Sequence, residues 1–234
     1  MIRKILVFLL VLNLTACAEL QQVVNQLPQG VGIGNDEIAS GLRQALDFGI
    51  EKQVTKLTQT DGFYKNDLVK ILLPEELQKV DKGLRDIGLS KLADEGLKVL
   101  NRAAEDAVKE ATPIFVDAVK GITFADAKNI LIGNDDAATQ YLNGKTQTAL
   151  YAKFSPVIKN SFSKVGADEI WSNLINKYNS IPFTADVNPN LTDYVTTEAL
   201  KGVYTMIAVE EKEIRTNLSS RTTDLLRKVF ALQD

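Results

Sequence analysis

Histidine is absent from the 234-residue chain, and its single cysteine is Cys17. The commonest general base, the commonest metal ligand and the near-neutral pH switch are therefore missing. One thiol can form neither an intrachain disulfide nor a Cys-His pair. Chemistry here would have to run on carboxylates, lysine, tyrosine or serine. Between Asn101 and Leu142 the chain brings together small residues, paired charges and repeated Ala-Asp or Asp-Ala steps. Asn101 and Glu105 stand one helical turn apart, as do Arg102 and Asp106, and Ala103, Ala104 and Ala107 among them permit a neighbouring helix to come close. Glu211 and Arg215 repeat that spacing late in the chain. Two readings fit. These are solvated helix-face pairs contributing a few tenths of a kcal/mol each, or Asn101, Arg102, Glu105 and Asp126, with Glu211 and Arg215, meet in one partly buried polar network.

Several motif fragments are incomplete. Gly144-Lys145-Thr146 has the end of a phosphate loop, but Thr139 stands where its first glycine belongs and no strand precedes it. Ser161-Phe162-Ser163-Lys164 has the Ser-x-x-Lys spacing without the companion elements of penicillin-recognising enzymes. Asn134-Asp135-Asp136 lacks the alternating ligands and central glycine of a calcium loop, and suits a helix N-terminus, where acids favour the dipole. No cofactor or resident metal is expected. Any ion held by oxygen ligands alone would be magnesium or calcium before zinc.

The elements that position these residues begin after a leader. Met1 to Lys4 is a short basic start, and Ile5 to Leu14 is an apolar run broken only by Asn13, too short to span a membrane. Leu14-Thr15-Ala16-Cys17 resembles the bacterial lipobox. That resemblance implies cleavage after residue 16 and acylation of Cys17, and two or more chains anchor stably where one does not. Ala18, where an aspartate would retain the protein at the inner membrane, implies by the same resemblance an outer-membrane lipoprotein facing the periplasm. Residues 17–35, with Pro28, Gly30, Gly32 and Gly34, read as a tether reaching at most roughly 60 Å. Loss of Arg3 and Lys4 with the leader takes the net charge from -3 to -3 - 2 = -5. Without any basic run carrying aromatics, nucleic acid is not an expected partner.

Residues 36–234 read as one all-α domain of about eight to nine helices. Asp36 would cap a first helix whose inward face is Ile38, Leu42, Ala45, Leu46, Ile50, Val54 and Leu57, ending at Asp61-Gly62. Asn66 to Leu73 is the one conceivable strand and lacks a partner. Pro74 with Glu75 and Glu76 opens a second helix facing inward through Leu77, Val80, Leu84 and Ile87, stopped by Gly88. Ser90 to Ala111 follows, then a helix from Pro113 to Gly121, then one with a Thr123/Asp126 capping box ending at Gly133. Asp135 opens a longer tract through Tyr141, Leu150 and Phe154, interrupted at Gly144 and Pro156. Ala167 to Tyr178 forms a helix around Ile170, Trp171, Leu174 and Ile175. In the loop from Ser180 to Asn190, Ile181, Phe183 and Val187 should pack down. Two last helices span Thr192 to Arg215 and Ser219 to Ala231. No period of a repeat protein is present.

Blocks along the mature chain carry a family resemblance: Gly41 to Leu46, Asp61-Gly62-Phe63, Leu100 to Glu105, Phe124 to Gly133, Ala137 to Tyr141, Glu210 to Arg215, Arg221-Thr222-Thr223 and Val229-Phe230. They are similar to the DUF4197 family of bacterial proteins of unknown function. The resemblance implies a helical lipoprotein or exported domain and supplies no activity. Two functions are then expected. One is an envelope binding module, held to the membrane by its lipid and engaging an envelope protein or an apolar ligand. The other is a hydrolase or lyase using Glu105, Asp126, Asp135, Asp136 or Glu211, with or without magnesium or calcium. It would need two carboxyl groups roughly 5 to 9.5 Å apart in a cleft. A plain structural spacer is the remaining option.

Overall fold

The computed structural model describes residues 34–233, less 75–77, 79–81, 83–84, 87, 89, 181 and 184–185. The leader, Cys17, nearly all of the tether, much of the second helix including Glu75, Glu76, Leu77, Val80, Leu84 and Ile87, and Ile181 lie outside the described residues, as do the side chains of Leu174 and Ile175. Eight α-helices and no strand are present among those described: α1 (Asn35–Thr58), α2 (Ser90–Val108), α3 (Ala111–Lys120), α4 (Phe124–Leu131), α5 (Ala137–Ser163), α6 (Ala167–Asn179), α7 (Leu191–Thr216) and α8 (Asp224–Phe230), with a 3-10 turn at Leu218–Ser220 between the last two. The domain is all-helical, as its periodicity predicts.

Helices α5 and α7 form the spine, α7 packing on α5 and α1 while α5 also supports α2 and α3. On α5 the buried positions recur every four residues, through Leu142, Thr146, Leu150, Phe154, Ile158 and Phe162. Thr146 is enclosed because its hydroxyl is satisfied twice, donating to the Leu142 carbonyl at 2.7 Å and sharing a 2.8 Å bond with the Tyr204 hydroxyl. Burial pushes the Tyr204 phenol above its ordinary pKa. Its ring meets Phe115 edge-on, at 6.0 Å and 89°. Val195, Ala199 and Val203 of α7 complete this layer.

Four local expectations are corrected. Helix α5 runs unbroken through Gly144 and Pro156. Pro156 and Ala152, four residues before it, both lie on the solvent face, where water can replace the missing donor. Asn66 to Leu73 forms no strand, its partner being a side chain of α2. Ile170 is 69% exposed, because α6 buries its neighbour Trp171, stacked on Tyr194 at 5.9 Å. Phe183 is wholly exposed at a φ of 66°, so the 180–190 loop does not pack down through it. Val187 does the packing instead. Asn179 receives its amide at 2.9 Å and donates to its carbonyl at 2.8 Å.

Candidate functional site

Helix α2 carries the first polar cluster. Asn101 is fully buried, and its Oδ1 accepts the Ile71 amide at 2.8 Å while its Nδ2 donates to the Ile71 carbonyl at 2.9 Å and to Leu97 at 2.8 Å. One side chain thus supplies the bonding that a neighbouring strand would give. One turn on, Glu105 takes the Phe63 amide at 3.1 Å and the Tyr64 amide at 3.5 Å on Oε1. Arg102 bridges Glu105 Oε2 and Asp61, each at 2.6 Å. Asp61 is at a φ of 68°, in the left-handed region an aspartate tolerates. A 2.8 Å bond from Lys65, with Arg102 beyond it, holds the Asp61 carboxyl below the usual carboxylate range. The turn is also tied to α7. A Cβ at Gly202 would sit 2.7 Å from the Phe63 ring, so that ring rests on bare α7 backbone. Asp106 does not pair with Arg102 and faces Lys109 at 2.7 Å on the surface.

The second cluster lies where α4 passes into α5. The first amides of a helix and its last carbonyls have no partners within it. Glu211 of α7 accepts the Ala138 and Thr139 amides at 2.8 Å each, and the Thr139 hydroxyl at 2.8 Å. Arg215, one turn later, donates to the Ile130 carbonyl at 2.8 Å and the Leu131 carbonyl at 3.2 Å. It closes on Glu211 at 2.8 Å. The pair therefore caps the end of α4 and the start of α5 together. Both side chains are 5% exposed.

The six candidate residues do not form one network. Asn101, Arg102 and Glu105 meet on the 61–71 segment, and Glu211 and Arg215 meet at the α4–α5 junction. Asp126 joins neither. It closes a capping box with Thr123 on the exposed start of α4, accepting the Thr123 amide at 2.9 Å, and that bond lowers its pKa. Glu210 and Arg221, of comparable burial, and the half-buried Arg43 were missed by sequence reasoning. Glu210 takes Lys52 and Gln53 of α1 at 2.7 Å each. Arg221, fully enclosed, donates to the Ile214 and Arg215 carbonyls at the end of α7. Arg43 donates to the Ile122 carbonyl beyond α3. No group of three or more acidic residues placed to hold a metal occurs among the described residues.

Beside the second cluster the surface opens. A groove of about 610 Å³ is lined by Asn35 and Ile38 of α1, Phe124, Lys128 and Leu131 of α4, Ile132, Gly133 and Asp135 of the junction, and Arg215, Thr216, Leu232 and Gln233 near the C-terminus. Its size is that of a small-ligand pocket. Ile132 projects into solvent at 76% exposure, and Leu232 is 37% exposed. The groove was not visible in the sequence, because its walls come from four separate stretches.

Fold and clusters together define an all-α domain whose enclosed charges act on backbone groups of other segments. A family model described as a protein of unknown function, DUF4197, matches residues 32–231, and the chain belongs to that family. No curated protein and no solved structure matches it.

Proposed function

We propose that this chain is an envelope lipoprotein, acylated at Cys17 and facing the periplasm from the outer membrane, whose helical domain binds an envelope protein or an apolar ligand. The groove between α1, α4 and the C-terminal end is the observation that carries this reading. An apolar-walled recess with Ile132 standing out of it is the kind of surface that marks an interaction site. Its rim includes Asn35, the first residue of α1. The carboxylate-enzyme reading has less behind it. Both oxygens of Glu105 and both of Glu211 already bond to backbone amides, a hydroxyl or arginine.

The test is site-specific photocrosslinking in cells, with the reactive residue at Ile132 in the groove or at Leu68, also exposed but far along the chain. Adducts are expected at Ile132 alone, and their pattern should change in Cys17→Ser, which releases the chain from the membrane fraction. Equal yields at both positions, or wild type and Cys17→Ser fractionating alike, would defeat the proposal.

A further inference from the structure

The charges on the groove say more about its ligand than its apolar wall does. Lys128 and Asp135 both line it, and neither makes an ion pair or side-chain hydrogen bond with any described residue. Both are exposed, so both charges are open to a ligand. Arg215 adds a donor. Its Nε and Nη2 are committed to Glu211 and Ile130, but Nη1, with two protons, has Leu131 as its one acceptor. The recess therefore offers an apolar wall, a cation with a spare guanidinium proton nearby, and an anion.

We propose that the groove binds a single-chain zwitterionic amphiphile, a molecule with one acyl chain and a head group carrying a phosphate and an ammonium. The chain lies along Ile38, Phe124, Ile132 and Leu232, the phosphate meets Lys128, and the ammonium meets Asp135. A simple fatty acid fits less well, because its carboxylate has only one of the two charges to satisfy and is repelled by the other. An anionic single-chain phospholipid has the same defect. This inference rests on the groove being the ligand surface, and goes beyond it in naming the head-group chemistry.

The full chain, in a non-ionic detergent, is incubated separately with lysophosphatidylethanolamine, lysophosphatidylglycerol and palmitate, and one-to-one adducts are read by native mass spectrometry. The zwitterion should bind about tenfold more tightly than either anion. Ile132→Asn, at a position exposed enough to leave the fold intact, should lower binding of all three. Lys128→Glu should remove the preference for the zwitterion, and Lys128→Glu with Asp135→Lys should restore it in part, since the head group can turn round. Far-ultraviolet circular dichroism of each variant confirms that it has folded. Equal binding of all three ligands, or a preference that survives Lys128→Glu, overturns the head-group assignment. Crosslinks from Ile132 without any lysolipid adduct would overturn this inference alone and leave the envelope-module reading in place.

Discussion

The α2 cluster and the α4–α5 junction use one device in two settings. In each, a glutamate one turn or less from an arginine accepts two backbone amides of another segment. The difference is access to water. Arg102 keeps 39% of its side chain exposed, while Arg215 keeps 5%. Both glutamates are enclosed, at 4% and 5% exposed, so the contrast lies in the arginines: water reaches the Arg102 guanidinium and not that of Arg215. The first arginine steadies a turn that Glu105 also holds through the Phe63 and Tyr64 amides. The second closes a pair in which neither charge meets water. A sequence shows both as acid–arginine pairs on helices, and only enclosure separates them.

The sharpest way to break that distinction is Arg215→Met, which strands the Glu211 charge and two carbonyls. It should cost about 3–5 kcal/mol, with the melting point falling roughly 2–4 °C per kcal/mol in a domain of this size. Pairing it with Glu211→Gln should recover part of the loss, since no charge is then left alone. Asn101→Ala comes next. It orphans the buried amide and carbonyl of Ile71, a cost of about 3 kcal/mol by urea denaturation. Arg102→Met leaves Glu105 enclosed but still bonded to the Phe63 and Tyr64 amides, and should cost about 1–3 kcal/mol, less than Arg215→Met. A loss matching that of Arg215→Met would show that exposure is not what separates the clusters. The smallest effect is on pH. The folded pKa of Asp61 is lowered by Lys65 and Arg102, so its contribution is present above the unfolded value and is lost as pH falls through the folded one. Stability measured from pH 5 down to pH 2 should fall less steeply in Asp61→Asn than in wild type.

Much of this was open to a reader of the sequence. Helical spacing gives the inward face of α1, and the Thr123/Asp126 box marks the start of α4 correctly. Asn101 and Glu211 also carried a readable sign. Asn101 falls on the stripe of Leu97, Ala104 and Val108, and Glu211 on that of Ile207 and Ile214, so each is a polar residue in a core position. What such a residue bonds to was not legible. The Glu211 and Arg215 targets lie 72 to 85 residues away along the chain, and no local spacing encodes them. Asn66 to Leu73 looked like a strand without a partner because its partner is a side chain on a helix. Pro156 looked like a break because sequence does not say that its face is wet.

The Asn101 bond to Ile71 bears on how this molecule opens. Segments without regular structure ordinarily exchange their amide hydrogens quickly through small local fluctuations, while helix cores wait for larger ones. The Ile71 amide belongs to neither class. It sits outside every helix, yet its acceptor is enclosed on α2, so deuterium can reach it only when α2 separates from the segment it holds. A hydrogen-exchange time course should therefore show one slow hydrogen in an irregular stretch, next to the exposed and rapidly exchanging Leu72. Its rate would match that of the α2 interior, and in Asn101→Ala it would join its neighbours.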